Sequence, residues 1–130
     1  MGGRMKKRPL EWLRQADFDM DTADLILEVG RFFYAVFMCH LALEKALKGI
    51  YTARLHRVPP KTHSLVYLVE RMKLQVPDPI YDYLYTLNRV STQIRYPDDL
   101  HKMLDTFSEG MTRDLLADGR KALEWIKGRL

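Results

Sequence analysis

Residues 10–55 read LEWLRQADFDMDTADLILEVGRFFYAVFMCHLALEKALKGIYTARL, and this stretch decides the fold. From Leu10 to Val29, Leu13, Ala16, Met20, Ala23 and Ile26/Leu27 recur at three- and four-residue steps, with Asp17, Asp21, Asp24 and Glu28 on wetter faces. That spacing predicts an amphipathic helix. Gly30 ends it at the position where a left-handed residue is favoured. The link to the next helix is so short that the two must pack as antiparallel neighbours.

The second helix, Arg31 to about Leu55, has a different pattern. Phe33, Val36/Phe37, His40, Leu43/Glu44, Leu47 and Ile50/Tyr51 form one stripe, while Phe32, Ala35, Met38, Cys39, Leu41, Ala42 and Ala46 make most of the remaining surface apolar too. A helix apolar nearly all round is contacted from several sides. It is the central pillar of a bundle, or it faces both its own core and a second subunit.

Downstream, Val58-Pro59-Pro60 breaks the helical pattern, because proline cannot continue a helix and restrains its predecessor. Thr62 is a good N-cap for a third helix, His63 to about Lys73, with Leu65, Leu68, Val69 and Met72 inward. Asp78, between Pro77 and Pro79, caps a fourth helix from Ile80 to about Val90, with Tyr81, Leu84, Leu87 and Asn88/Val90 on its inner face. Residues 91–99 read as a loop ahead of Pro97. A last helix begins between Leu100 and Thr112 and runs to Lys127, burying Leu115/Leu116, Leu123, Ile126 and part of Trp125. No strand, repeat, low-complexity tract or domain linker is visible. The expectation is an all-α, up-and-down bundle of about five helices in one domain, 10–130, preceded by a flexible basic N-terminus, 1–9.

Whole-chain properties agree with this reading. The 130 residues are enough for one unstapled core, and 47% hydrophobic with 11% aromatic residues argues against disorder. The lone cysteine, Cys39, cannot form an internal disulfide and fits a reducing cytoplasm. Its apolar setting predicts an inert buried thiol. Met1–Arg8 is basic, but no signal-length apolar core follows, so no signal peptide is expected. Phe32–Leu43, the most apolar run, falls short of the about 20 residues that span a bilayer. The net charge of +4 is concentrated at Arg4, Lys6, Lys7 and Arg8 and at Arg120, Lys121, Lys127 and Arg129. That permits contact with RNA or nucleotides, though solvated termini and a Lys/Arg-rich last helical turn are the simpler explanation.

Few side chains stand out chemically. His40 and Glu44, four apart on one helix, have the spacing of two metal ligands, but no third ligand accompanies them and no metal or other cofactor is expected. A packing histidine, hydrogen-bonded within the bundle or across a subunit boundary, is the simpler reading of His40. No glycine-rich phosphate loop is present. His63, after Lys61 and Thr62 at a helix start, is placed to help hold an anion or only to begin a capped helix. Arg95 and His101 flank a turn at Pro97. A guanidinium that holds a phosphate and an imidazole that moves protons near neutral pH are suited to metal-free RNA cleavage. On spacing alone the plainer reading stands: Arg95 pairs with Asp98 or Asp99, and His101 is an exposed helix-start residue.

Five segments in order resemble a known family. Trp12-Leu13-x-x-Ala16-x-x-Asp19-Met20-x-x-Ala23, Gly30-Arg31-Phe32-Phe33-Tyr34-Ala35-Val36-Phe37, Ala42-Leu43-Glu44-Lys45-Ala46-Leu47-Lys48, His63-Ser64-Leu65 and Arg95-Tyr96-Pro97-Asp98 together are similar to the HEPN domain (higher eukaryotes and prokaryotes nucleotide-binding). The resemblance covers roughly Glu11 to Lys127. It implies a helical bundle that forms a homodimer. In the family's ribonucleases an Arg-x(4–6)-His motif from each subunit builds a composite site, and Arg95-x5-His101 falls within that spacing.

Carried onto this chain, the resemblance implies a metal-independent endoribonuclease of a toxin–antitoxin type. Arg95 would hold the scissile phosphate and His101 would act as general acid/base, with Asp98 orienting Arg95 or closing the loop and Tyr96 beside them. The partner implied is a minimal nucleotidyltransferase antitoxin. In some systems it modifies a tyrosine two positions after the histidine, where this chain has Met103. The other readings are a nucleotide-binding module without turnover, using the same basic pocket with Lys45, Lys48, Lys61 and His63, and a pure interaction partner whose exposed helices cover a nucleotidyltransferase.

Overall fold

The hairpin forms with nearly the expected bounds. In the computed structural model, which describes residues 7–130, α1 spans Pro9–Glu28 and α2 spans Phe32–Leu55. Gly30 takes a φ of 82°, the left-handed turn that lets α2 fold straight back along α1. The two helices approach closely at Gly49, where a Cβ would meet Trp12 Cβ at 2.9 Å and the Pro9 carbonyl at 3.1 Å. Most of the expected flexible segment, residues 1–6, lies outside the described residues, while Pro9 already opens α1.

Four more helices complete an all-helical fold: α3 (Leu65–Met72), α4 (Asp78–Arg95), α5 (Leu100–Thr106) and α6 (Glu109–Lys127). No strand occurs among the described residues, and none of their helices is long and apolar enough to cross a membrane. The central pillar is α2, which packs against all five other helices. From Ala42 to Thr52 only Lys45 is not buried, which explains why its sequence lacks a polar face. One continuous core joins Ala16, Met20 and Ala23 of α1 to Leu43, Leu47 and Ile50 of α2, Leu84 and Leu87 of α4, and Leu116 and Ile126 of α6.

Three boundaries depart from the sequence expectation. The cap of α3 is Ser64 rather than Thr62: Ser64 Oγ accepts from the Tyr67 amide at 3.0 Å, and Thr62 Oγ1 accepts from the Ser64 amide at 3.1 Å in the turn before it. Asn88 Oδ1 of α4 takes the Leu65 amide at 2.8 Å, so the start of α3 is tied to α4 and His63 is left outside the helix. Next, α4 runs five residues past Val90, because Ser91 and Ile94 continue its buried face. Asp78 is the first residue of that helix, and Pro77 is its N-cap. Finally, the expected single last helix is two. Ser108 breaks the run and caps α6, its Oγ accepting from the Met111 amide at 3.2 Å, while Phe107 just before it is buried in the core.

Cys39 is fully buried, as its apolar run predicts, and burial pushes its thiol up to about 12. Its Sγ lies 3.4 Å from the Tyr83 hydroxyl. That hydroxyl donates to the Leu115 carbonyl at 2.7 Å, so the thiol is the donor to Tyr83. A protonated, enclosed thiol is a packing group.

Candidate functional site

In the middle of α2, its otherwise apolar surface carries a charge. Glu44, with its side chain 5% exposed, is the centre of a polar cluster drawn from three parts of the chain. Its Oε2 accepts from Lys48 Nζ one turn along α2 at 2.9 Å. Its Oε1 lies 3.0 Å from His63 Nδ1, delivered by the segment before α3, and 3.7 Å from Arg95, delivered by the last turn of α4. Arg95 also reaches His40 Nδ1 at 3.5 Å and stacks over the Phe37 ring, its guanidinium carbon 5.0 Å from the ring centre.

Burial fixes the charge states. Desolvation lowers the His40 pKa from 6.5 to about 4, against the pull of Glu44 and with a further push from Arg95. His40 is therefore neutral at pH 7 and accepts from Arg95 through Nδ1. Asn88 bonds the same imidazole and the α3 start together. The single Glu44 carboxylate is shared between two cationic side chains, Lys48 and Arg95. One positive charge is left over, and Arg95 carries it to the surface.

That surface is a cleft of about 450 Å³ lined by Tyr34, Phe37, His63, Ile94, Arg95 and Tyr96. Three aromatic rings, a guanidinium and an imidazole with no wall of acidic residues suit a ligand that has a flat ring and a negative charge.

Of the candidate residues, the fold brings Arg95, His63 and Tyr96 to this cleft and seats Lys48 behind it. It does not bring His101 there. His101 lies on α5 with its side chain 85% exposed, 3.5 Å from the similarly open Asp105. Asp98 lines a neighbouring groove on the other side of Tyr96, with Gln93, Asp99 and Lys102, and the carboxylate beside Arg95 is Glu44. Asp99 caps α5, accepting from the Lys102 amide at 3.2 Å. Lys45 pairs with Asp19 of α1 at 2.8 Å and does not line the cleft, and Lys61 is exposed on the connecting segment.

Sequence reasoning did not single out Glu44 as a hub, nor Phe37, Tyr34 and Asn88 as site residues. One signal was present: His40, Glu44 and Lys48 are polar at four-residue steps on a helix with few other polar positions. Read as a metal pair, His40 and Glu44 lack what the fold supplies, a guanidinium within 3.5 Å of one and 3.7 Å of the other, in the place a cation would take. No group of three or more metal-binding side chains occurs among the described residues.

Comparison with known proteins adds the family. The HEPN domain model matches residues 10–129. The chain belongs to the HEPN domain family. Among solved structures it is similar to ST0689, an archaeal HEPN homologue, with a TM-score of 0.76 and 25% identity over 94% of this chain and 97% of that one. TT1696 from Thermus thermophilus shares the fold, with a TM-score of 0.80 and 23% identity over 95% and 98% of the two chains. No curated protein matches the sequence. The HEPN fold therefore extends over nearly the whole chain, and the Glu44 cluster and the Arg95 cleft sit within it.

Proposed function

We propose that the cleft binds RNA, holding a phosphate at Arg95 and a base against Tyr34, Phe37 and Tyr96. The observation that carries this reading is the shared Glu44 carboxylate: it orients the Arg95 guanidinium without using up the local positive charge. Stacking on aromatic rings contributes about 1–3 kcal/mol per base and tolerates any sequence. A volume of about 450 Å³ accommodates one nucleotide unit. A free nucleotide carries the same ring and phosphate, so it competes for the same cleft, as a nucleotide-binding module requires.

The test is fluorescence anisotropy with a labelled single-stranded oligoribonucleotide. Arg95→Ala weakens binding at least tenfold and lowers the slope of log K against log salt by about 1, the signature of one lost phosphate contact. Unchanged affinity in that variant contradicts the reading.

A second reading, metal-independent RNA cleavage of the toxin type by Arg95 and His101, has a specific observation in its favour. His101 follows Arg95 across the 96–99 turn and is open to the surface, where a second copy can meet it. The Arg95 cleft also continues over Tyr34 and Phe37 into an apolar groove with Ile26 and Met38, a surface suited to a homodimer. This reading expects a dimer in light scattering and RNA cleavage in the presence of a chelator. His101→Ala then loses cleavage and keeps the dimer. A monomer that cleaves as fast as any other form of the chain contradicts it.

A further inference from the structure

The histidine that shares the cleft with Arg95 is His63, and its setting is unlike that of His40 or His101. Its Nδ1 lies 3.0 Å from Glu44 Oε1. A carboxylate engaged by Lys48 and Arg95 only accepts hydrogen bonds, so in the neutral imidazole Nδ1 carries the proton and Nε2 is the bare nitrogen. The carboxylate behind the ring is 5% exposed, whereas the ring itself is 61% exposed and forms part of the cleft wall. Nε2 has no hydrogen-bond partner among the described residues. An imidazole held in one tautomer by a buried carboxylate, with its other nitrogen facing a ligand space, is the arrangement that prepares histidine to take a proton. His40 cannot do this, being enclosed, and His101 is backed only by an exposed Asp105.

Arg95 and His63 also converge, at 3.7 Å and 3.0 Å from the same Glu44 oxygen, so one phosphate group can meet both. We infer that His63 is the general base for RNA cleavage in this cleft and that Glu44 is its positioning residue; the inference rests on the cleft binding RNA. His63 Nε2 takes the proton of the 2′-hydroxyl. The 2′-oxygen then bonds to phosphorus while the bond from phosphorus to the 5′-oxygen breaks. Arg95 faces the non-bridging oxygens, where negative charge grows in the transition state. The departing 5′-oxygen takes a proton from solvent water, and the imidazolium returns its own to solvent. The products are a 2′,3′-cyclic phosphate and a 5′-hydroxyl end, with no oxidant or reductant consumed.

The experiment measures binding and cleavage separately, on a mixed-sequence single-stranded oligoribonucleotide and on its 2′-deoxy counterpart. Wild-type protein binds both and cleaves only the first, leaving a cyclic phosphate. His63→Gly loses at least a hundredfold in kcat while binding weakens less than tenfold, and added imidazole restores part of the rate. Glu44→Gln lowers kcat much more than it changes KM. His63→Gly leaves the Glu44–Lys48 pair in place, so the outcome does not depend on whether the Glu44 variant folds. Wild-type cleavage rates in His63→Gly, or RNA binding without cleavage by the wild-type protein, overturn the inference and leave the binding reading standing. Full activity in His63→Gly with loss in His101→Ala moves proton transfer to α5 and likewise overturns it. Wild-type affinity in Arg95→Ala overturns the reading of the cleft, and the inference with it.

Discussion

His40 and Glu44 sit one turn apart on α2, and burial treats them differently. Glu44 has Lys48, His63 and Arg95 around its carboxylate, whereas desolvation keeps His40 uncharged. Between pH 6.5 and about 4 an unfolded chain takes a proton on this histidine that the folded one refuses. Stability is therefore fully present above pH 6.5 and falls as the pH drops through that window, by roughly 3 kcal/mol for this residue alone. Urea denaturation of wild type and His40→Gln at a series of pH values checks this, with the variant showing a flatter dependence; parallel curves contradict it. Glu44→Ala has the opposite origin of damage. It leaves Lys48 and Arg95 without their anion, and a cost of about 3–5 kcal/mol is expected in the same assay at pH 7. The residues of this cluster were legible in the sequence only one at a time. His63 lies 19 positions from Glu44 and Arg95 lies 55 from His40, distances over which no local spacing rule speaks.

At the scale of elements, the long periodic helices α1 and α2 were readable to within a residue or two, because Gly30 and the core stripe mark them unambiguously. The shorter ones were not, for identifiable reasons. Pro97 disfavours helix at the residue before it, and the sequence pattern alone places the start of that loop at residue 91. In the fold, α4 holds through Arg95 because Ser91 and Ile94 face the core, and the chain leaves the helix only at Tyr96. That extension puts Arg95 in the cleft rather than on a loop. The split between α5 and α6 follows from Ser108, whose capping role is hidden among other helix-compatible residues. One element end carries a correctable flaw. Lys73 ends α3 in the left-handed region, at a φ of 54°, with its amide bonded back to the Glu70 carbonyl. A Cβ-bearing residue is strained there, and glycine is not. Lys73→Gly is expected to raise stability by about 0.5–1 kcal/mol in thermal or urea unfolding, with no effect on RNA binding.

On the scale of the whole molecule, α2 is both scaffold and site. Its buried length holds the other five helices, and its polar turn at His40, Glu44 and Lys48 receives the ends of two of the segments it organises. The fold class and the family followed from the pattern of this one hairpin and a few ordered motifs. The surroundings of Arg95 did not: the sequence places Arg95 and His101 in one motif, and within one chain the fold sets Arg95 beside His63, Glu44 and three aromatic rings. The central claim is that this cleft, and no other surface, takes the RNA. Photocrosslinking of a 4-thiouridine-labelled single-stranded oligoribonucleotide, followed by mass spectrometry of the adducts, tests it most directly. The expected adducts fall on Tyr34 and Tyr96 and disappear with excess unlabelled RNA or in Arg95→Ala. Adducts concentrated on Tyr67 or Tyr85, which are exposed but do not line the cleft, would contradict that claim.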